Sequence, residues 1–332
     1  MDEERDYQIH HFLAVRSSYE LDRLAPFRVD RTHTPDIVVR PYRRGEPKGE
    51  RLGDYVWESD NRLTLDLGSR IRASLKRTEE RFELSYTRQF FRVGDPEELL
   101  QAMVTQALPS AGPHLVNAAG VRDSDGRGIL LFGSPQSGKT TTAVQLARRE
   151  GWALLSDEVV FLDEGTVYSF PRPVRFRRHS PLYDEEMSTV RQFLNDRYRS
   201  AVPDGTRRVL KHLKHRIPGV NVGGTVREAE ELASTTDRAD LSVCVFLHPT
   251  TSERELRELG VRDAASSASL LSNWISDHPF VNRYAYLDGA VGYEIPAVNR
   301  SKMAQALGAC DSYAVRAPRD EFTPLLAERL NN

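Results

Sequence analysis

Cysteine is nearly absent from this chain. Cys244 and Cys310 stand alone among 332 residues, which excludes both a disulfide framework and a four-thiolate zinc site. So little cysteine fits a reducing compartment, and the expectation is a cytoplasmic protein. Lysine is scarce as well, with six lysines against forty arginines among the 46 basic residues, so an arginine cluster by itself marks no site. The net charge of −2 lacks the basic excess that bulk nucleic-acid binding needs, and no nucleic-acid partner is expected. Long apolar runs are missing too. The longest stretch free of Asp, Glu, Lys and Arg, Leu99–Val121, is broken by Pro109, Gly112 and Pro113 and made amphipathic by Gln101 and Gln106. No membrane span is expected from it. Met1–Asp6 is acidic and has no apolar core of the secretory type, and neither an internal repeat nor a Cys/His metal spacing is found.

What remains is an ordinary soluble composition, 39% hydrophobic and 28% charged, with enough length for one large or two ordinary domains. Residues 1–93 read as a small β-rich domain with candidate strands at Ile9–Val15, Ile37–Arg40, Tyr55–Trp57, Leu63–Leu67 and Phe82–Tyr86. His10 and His11 are adjacent, so on a strand they point to opposite faces and make no metal pair. Asp95, Pro96, Glu97 and Glu98 open a helix that leads into a second, α/β domain over 94–332. Within it, Val159–Leu162 and Thr166–Phe170 form a hairpin turning at Asp163-Glu164-Gly165, Val174–Phe176 is a short strand, and Leu241–Leu247 is the clearest central strand. Further strands are expected at Tyr284–Leu287 and Tyr313–Val315. Helices are expected at Glu185–Arg197, Ala264–Ile275, Ser301–Leu307 and Phe322–Leu330.

Chemistry concentrates at one place. Gly133-Ser134-Pro135-Gln136-Ser137-Gly138-Lys139-Thr140 fits G-x-x-x-x-G-K-[ST], the phosphate-binding loop. The pattern needs those residue types. Gly133 and Gly138 let backbone N–H groups curl around phosphate oxygens, Lys139 reaches the β and γ phosphates, and the Thr140 hydroxyl is a Mg²⁺ ligand. Thr141 continues the cradle into a helix whose positive end adds to it. Chance alone produces this pattern in roughly one chain per hundred of this length at the usual glycine frequency of about 7%, and the scarcity of lysine lowers that further. The apolar run Ile129–Phe132 before the loop and the apolar face of Ala143, Val144, Leu146 and Ala147 after it supply the strand–loop–helix context.

A pair of carboxylates, Asp157-Glu158, follows within 18 positions of Lys139. That interval holds a helix ending near Glu150-Gly151 and a strand, Trp152–Leu155, which delivers both acids at its C-terminal end. Ligands of open α/β sheets bind beyond those ends. On a pleated strand the two side chains point to different sides, so one can act as general base while the other holds metal. Which takes which role is open at this level.

The compact acid pair resembles the catalytic domain of HPr kinase/phosphorylase and its relatives, which share a core with phosphoenolpyruvate carboxykinase. That family's pattern runs roughly Leu-His-Ala-Ala-Val, a Gly-x-Gly strand, the phosphate loop, a helix, Gly-x-x-Leu and Ser/Ala-Asp-Asp. Here the matching stretches are Val116–Val121, Gly126–Leu131, the loop, Gly151–Leu155 and Ser156-Asp157-Glu158, so the resemblance covers residues 116–160. It departs from the pattern at Asn117, where the family has a histidine (His114 lies three residues upstream), and at Glu158, where it has a second aspartate. The family's C-terminal stretches that bind the substrate protein are not found.

The resemblance implies a P-loop kinase core that uses ATP and Mg²⁺ to phosphorylate a hydroxyl acceptor, such as a serine on a protein or peptide. ATP rather than GTP rests on the resemblance, since no Asn-Lys-x-Asp base motif occurs. Arg172, Arg175, Arg177 and Arg178 follow the acids and could steady a transferring phosphoryl group. Arg207–Arg216, basic at every position but Val209, Leu210 and Leu213, could dock an acceptor or close over the site together with the Gly-rich segment to residue 224. As plain scaffold these are solvated arginine faces. A second reading, from another class, is a nucleotide-binding regulatory module without acceptor chemistry, which the loss of the histidine at Asn117 favours. A transporter or motor ATPase fits less well, because no Leu-Ser-Gly-Gly-Gln signature is present. The residues name neither the acceptor nor the oligomeric state, and a homo-oligomer stays open.

Overall fold

The computed structural model describes residues 4–32, 34–43, 49–51, 56–59, 62–66, 71–78, 81–93, 100, 104, 107–108, 112–170, 174–176, 182, 225–227, 229–272 and 300–331. The chain divides into two compact units. The described residues of the first lie within Met1–Gly112, and those of the second within Pro113–Pro203, Gly223–Asp277 and Pro296–Asn332. Together they make a mixed α/β protein with two large mixed sheets.

The first unit carries strands β1 (Arg5–Ile9), β2 (Leu13–Ser17), β3 (Arg28–Val29), β4 (Ile37–Pro41), β5 (Glu50–Arg51), β6 (Val56–Ser59), β7 (Arg62–Asp66), β8 (Arg72–Arg77) and β9 (Phe82–Tyr86). They order as β3-β1-β2-β4-β9-β8-β7-β6-β5. The pairs β2–β4 and β4–β9 are parallel, and every other neighbour is antiparallel. The single strand expected over Ile9–Val15 is instead the corner of a hairpin. His10 takes a left-handed φ of 50°, Phe12 N–H donates to Ile9 O at 3.2 Å, and the chain reverses into β2. The two histidines therefore sit in a turn, where the His10 ring packs edge-on to Phe27. Strand β8 escaped the sequence reading because its polar alternation, Arg72, Ser74 and Lys76, masks the apolar partners Ala73 and Leu75.

The second unit is built on β10 (His114–Val116), β11 (Ala119–Arg122), β12 (Arg127–Phe132), β13 (Ala153–Ser156), β14 (Val160–Asp163), β15 (Thr166–Ser169), β18 (Arg238–Pro249), β19 (Glu255–Glu258) and β20 (Asp311–Ala317), while β16 (Val174–Phe176) and β17 (Thr225–Arg227) pair separately. Strand β12 runs parallel to β18, and β18 runs parallel to β20. On the other side β11 is antiparallel to both β12 and β13, so β12 and β13 point the same way with β11 between them. Strands β15 and β20 share one edge of the long β18, at Arg238–Asp240 and Val243–Pro249 respectively.

Side-chain alternation splits this sheet's two faces between two sets of helices. Ile129, Leu131, Val243, Val245 and Leu247 pack with Ala143, Val144, Leu146 and Ala147 of helix Lys139–Glu150, and with Phe322, Leu326 and Leu330 of helix Phe322–Leu330. The intervening Leu130, Phe132, Cys244 and Phe246 pack with Ala264, Ala265 and Ala268 of helix Val261–Ser272, and with Met303 and Leu307 at helix Arg300–Ala306. The rings of Phe132 and Phe246 stack at 4.8 Å. A strand buried on both faces reads as a continuous apolar run, which is how Ile129–Phe132 reads. Helix Phe322–Leu330 and the hairpin at Glu164-Gly165 fall where the sequence placed them. The expected helix Glu185–Arg197, strand Tyr284–Leu287, helix start at Asp95–Glu98 and basic segment Arg207–Arg216 lie outside the described residues.

Asp6 anchors the first sheet. Its carboxylate accepts Arg16 Nε at 2.8 Å and Nη2 at 3.0 Å, and the backbone N–H of Thr32 at 2.6 Å. The Arg16 bond, aided by Thr32, pulls its pKa from 3.8 to about 2. A carboxylate with a depressed folded pKa contributes stability that is present above its unfolded value and is lost as the pH falls through the folded one. Thermal melts of the wild type should therefore lose stability more steeply between pH 4 and pH 2 than those of Asp6→Asn. Parallel curves for the two proteins would show that Asp6 does not supply this dependence.

Candidate functional site

Parallel strands deliver their C-terminal ends to one edge of the second sheet. The loop 133–138 leaves β12 there, Asp157 and Glu158 leave β13, and the turn at Pro318–Glu321 leaves β20. Asn117 reaches the same edge by the opposite route, since β11 enters with Ala119 opposite Leu131. His114 lies further along β10, opposite Leu162, and does not take Asn117's place.

The loop closes on itself. Ser137 N–H donates to Ser134 O at 3.0 Å, Gln136 sits at the bend with φ 70°, and Gly138 precedes the helix at φ 106°. A non-glycine residue in the left-handed region carries roughly 1–2 kcal/mol of strain, so the surrounding structure must impose the bend at Gln136. Gly133 is where the loop touches its floor. A Cβ there would collide with Oγ of Ser137 and stand 3.1 Å from the carbonyl oxygen of Leu247 on β18. The Ser137 hydroxyl is buried and has no hydrogen-bond partner among the described residues.

Lys139 opens the helix and folds its side chain back under the loop, where Nζ donates to Gly133 O at 2.6 Å and Ser134 O at 3.4 Å. The residue is 8% exposed, so a full positive charge is held beneath the loop by carbonyl dipoles. Thr140, one step on, donates its hydroxyl to Asp157 Oδ1 at 2.7 Å. Asp157 itself is 2% exposed. The expected meeting of loop and acid thus takes the form of a direct hydrogen bond between the two oxygens named as metal ligands. Thr141 is buried behind them, and Ser134, Pro135 and Gln136 are exposed along the loop.

The division between the two acids differs from the one expected. Strand β13 ends at Ser156, and Asp157 and Glu158 lie in a turn beyond it. Val159 N–H donates to Asp157 O at 2.8 Å around Glu158, whose φ is 63°. A γ-turn with positive φ is rare and strained, and it is this turn, not the pleat, that sets Glu158 apart from Asp157. Glu158 is half-buried.

The donor set suits Mg²⁺ better than a softer ion. Thr140 and Asp157 offer hard oxygens side by side, and Mg²⁺ takes one or two protein oxygens and completes its shell with phosphates and water. Among the described residues there is no group of three or more His, Cys, Asp and Glu that could hold a metal ion. The Arg175 backbone lies in β16, and Arg172, Arg177 and Arg178 lie outside the described residues. No described helix is long and apolar enough to cross a membrane.

The sequence reading passed over the β20 turn. Pro318–Glu321 matches no motif, and the nearness of Arg319 and Phe322 to Gly138 comes only from strand order.

No family model matches the chain, and no curated protein matches it. Among solved structures, the Hpr(Ser) kinase/phosphatase from Coxiella burnetii is similar over 66% of this chain and 95% of its own, at 8% sequence identity and a TM-score of 0.32. That relation is distant and bears on neither activity nor site residues.

Gly133→Ala probes the loop floor. The new methyl group must displace Ser137 or the β18 backbone, and overpacking of that kind costs about 1–3 kcal/mol. Denaturant unfolding should show a loss of this size. An unchanged midpoint would mean that the loop stands away from β18.

Proposed function

We propose that the chain is an ATP-dependent kinase with a P-loop core of the HPr kinase/phosphoenolpyruvate carboxykinase type, transferring the γ-phosphoryl group to a hydroxyl acceptor with Mg²⁺. The observation that carries this reading is the Thr140–Asp157 hydrogen bond of 2.7 Å directly beside the buried Lys139 ammonium. A cation and a pair of metal-seeking oxygens at one sheet edge are what a nucleoside triphosphate requires of a protein.

Lys139 would exchange its two carbonyl partners for phosphate oxygens, and backbone N–H groups of Gly133–Thr141 would line the triphosphate. Thr140 and Asp157 would hold the metal, with Glu158 able to join through water. Mg²⁺ held by Thr140 and Asp157 would supply positive charge against the phosphates. Transfer forms a bond from the acceptor oxygen to the γ phosphorus and breaks the bond from that phosphorus to the bridging oxygen. ADP leaves and the hydroxyl proton passes to a carboxylate. Glu158, set apart from the Thr140–Asp157 pair by its turn, is the candidate for that proton. The acceptor is a hydroxyl of unknown parent, with a serine of a protein or peptide favoured by resemblance alone.

Asn117 favours the other reading, a nucleotide-binding module that changes shape without transferring phosphate. It stands at the sheet edge where the family pattern has a histidine.

Variants separate the two. Lys139→Ala should weaken ATP binding by roughly ten- to a hundred-fold, since charge-assisted hydrogen bonds contribute about 1.5–3 kcal/mol each. Asp157→Asn should raise the Mg²⁺ requirement. Glu158→Gln should leave Mg²⁺–ATP binding within a few-fold and cut turnover by about 10²–10⁴, the size of a general-base contribution. The assay is ATP consumption against pooled cytoplasmic proteins, peptides and small hydroxyl metabolites, with titration calorimetry for binding. A wild type that binds ATP and modifies nothing in the pool supports the regulatory module. A wild type that binds no ATP removes both readings.

A further inference from the structure

Lys139 is the one cation that the motif supplies, and the fold brings a second to the same loop. The turn after β20 packs directly on Gly138: a Cβ placed there would stand 3.6 Å from the Phe322 ring and 3.9 Å from Cγ of Arg319. Phe322 is fully buried, and Thr323 Oγ1 donates to Gln145 Oε1 of the loop's own helix at 2.7 Å. Helix Phe322–Leu330 is thereby bolted to helix Lys139–Glu150, and the backbone of Arg319 has a fixed place relative to the loop. Nearby charges are otherwise engaged, for Glu321 pairs with Arg254 at 3.3 Å. Arg319 is exposed and makes no hydrogen bond or ion pair among the described residues. On its own turn Asp320 is the neighbouring acid.

We propose that Arg319 is a nucleotide-binding residue, placing a guanidinium on the triphosphate from the β20 side of the loop while Lys139 binds from beneath it. The inference rests on the nucleotide reading above and adds a residue to that site. Arginine suits the position because its planar fork can hold two phosphate oxygens at once, and it keeps its charge at any working pH. The approach to Gly138 fixes the start of the side chain up to Cγ, so binding has to order only the part beyond it. The contact is to phosphate rather than to base, because Gly138 is a phosphate-cradle position of the motif.

The test is calorimetric titration of Mg²⁺–ATP and of inorganic tripolyphosphate, which has no base or ribose, into four proteins: wild type, Lys139→Ala, Arg319→Gln and Arg319→Lys. Arg319→Gln should weaken both ligands by roughly ten- to a hundred-fold, and Arg319→Lys should recover part of the loss. Its unfolding midpoint should match the wild type, as Arg319 is exposed. Undiminished affinity of Arg319→Gln for both ligands overturns the proposal. So does a loss confined to ATP, which would make Arg319 a base contact. If Lys139→Ala loses binding and Arg319→Gln does not, the nucleotide reading stands and this one falls. If the wild type binds neither ligand, both fall together.

Discussion

Burial of strand β12 on both faces constrains everything else in the second unit. Ile129 and Leu131 need cover on one side, Leu130 and Phe132 on the other, and neither face can be left to water. Helix Lys139–Glu150 satisfies one side immediately, because its apolar residues Ala143, Val144, Leu146 and Ala147 return over the strand that precedes it. To return, the chain must cross β11 and re-enter the sheet parallel to β12. Parallel re-entry is what puts Asp157 at the same edge as Gly133, so the meeting of Thr140 and Asp157 follows from how the core is covered.

The same constraint explains why the site can hold unfavourable geometry. Gln136 and Glu158 occupy left-handed conformations, and Lys139 is a nearly buried charge. Each is destabilising by itself. They persist because rigid strands on either side leave the loop and the turn no other path. The ammonium donates to two carbonyl oxygens of the loop it supports, an arrangement that keeps the loop closed. On the reading proposed above, phosphate oxygens would take the place of those carbonyls.

Polar groups organise the first unit in a different way. Its sheet is tied together by charged pairs on strand faces, such as Arg16 with Asp6 and Arg40 with Glu83 at 2.7 Å, above a core that includes Tyr7, Ile9, Val15 and Leu84. Such pairs are stabilising when one partner is buried and fully bonded, as Asp6 is.

Several features were determined by the sequence alone. The glycine spacing of the loop after β12, the apolar run before it, the helix ending at Glu150 and the acid pair after the next strand are local properties, set by neighbours within a few positions, and they read out directly. So did the Asp163–Gly165 hairpin and the Leu241–Leu247 strand, where period and turn chemistry agree. Other features depended on partners far along the chain. Whether Ile9–Val15 is one strand or a corner is decided by the antiparallel pairing of Tyr7 with Val15 and Ile9 with Leu13, with His10 edge-on to Phe27 at the turn, not by propensity. The separation of Asp157 from Glu158 comes from a turn whose positive φ no residue type at that position announces. The approach of Pro318–Phe322 to Gly138 spans almost two hundred positions and exists because β18 takes β12 on one edge and β20 on the other. Local sequence encodes what the backbone can do nearby, but only the strand order of the folded sheet brings Arg319, Asp157 and Lys139 to one edge.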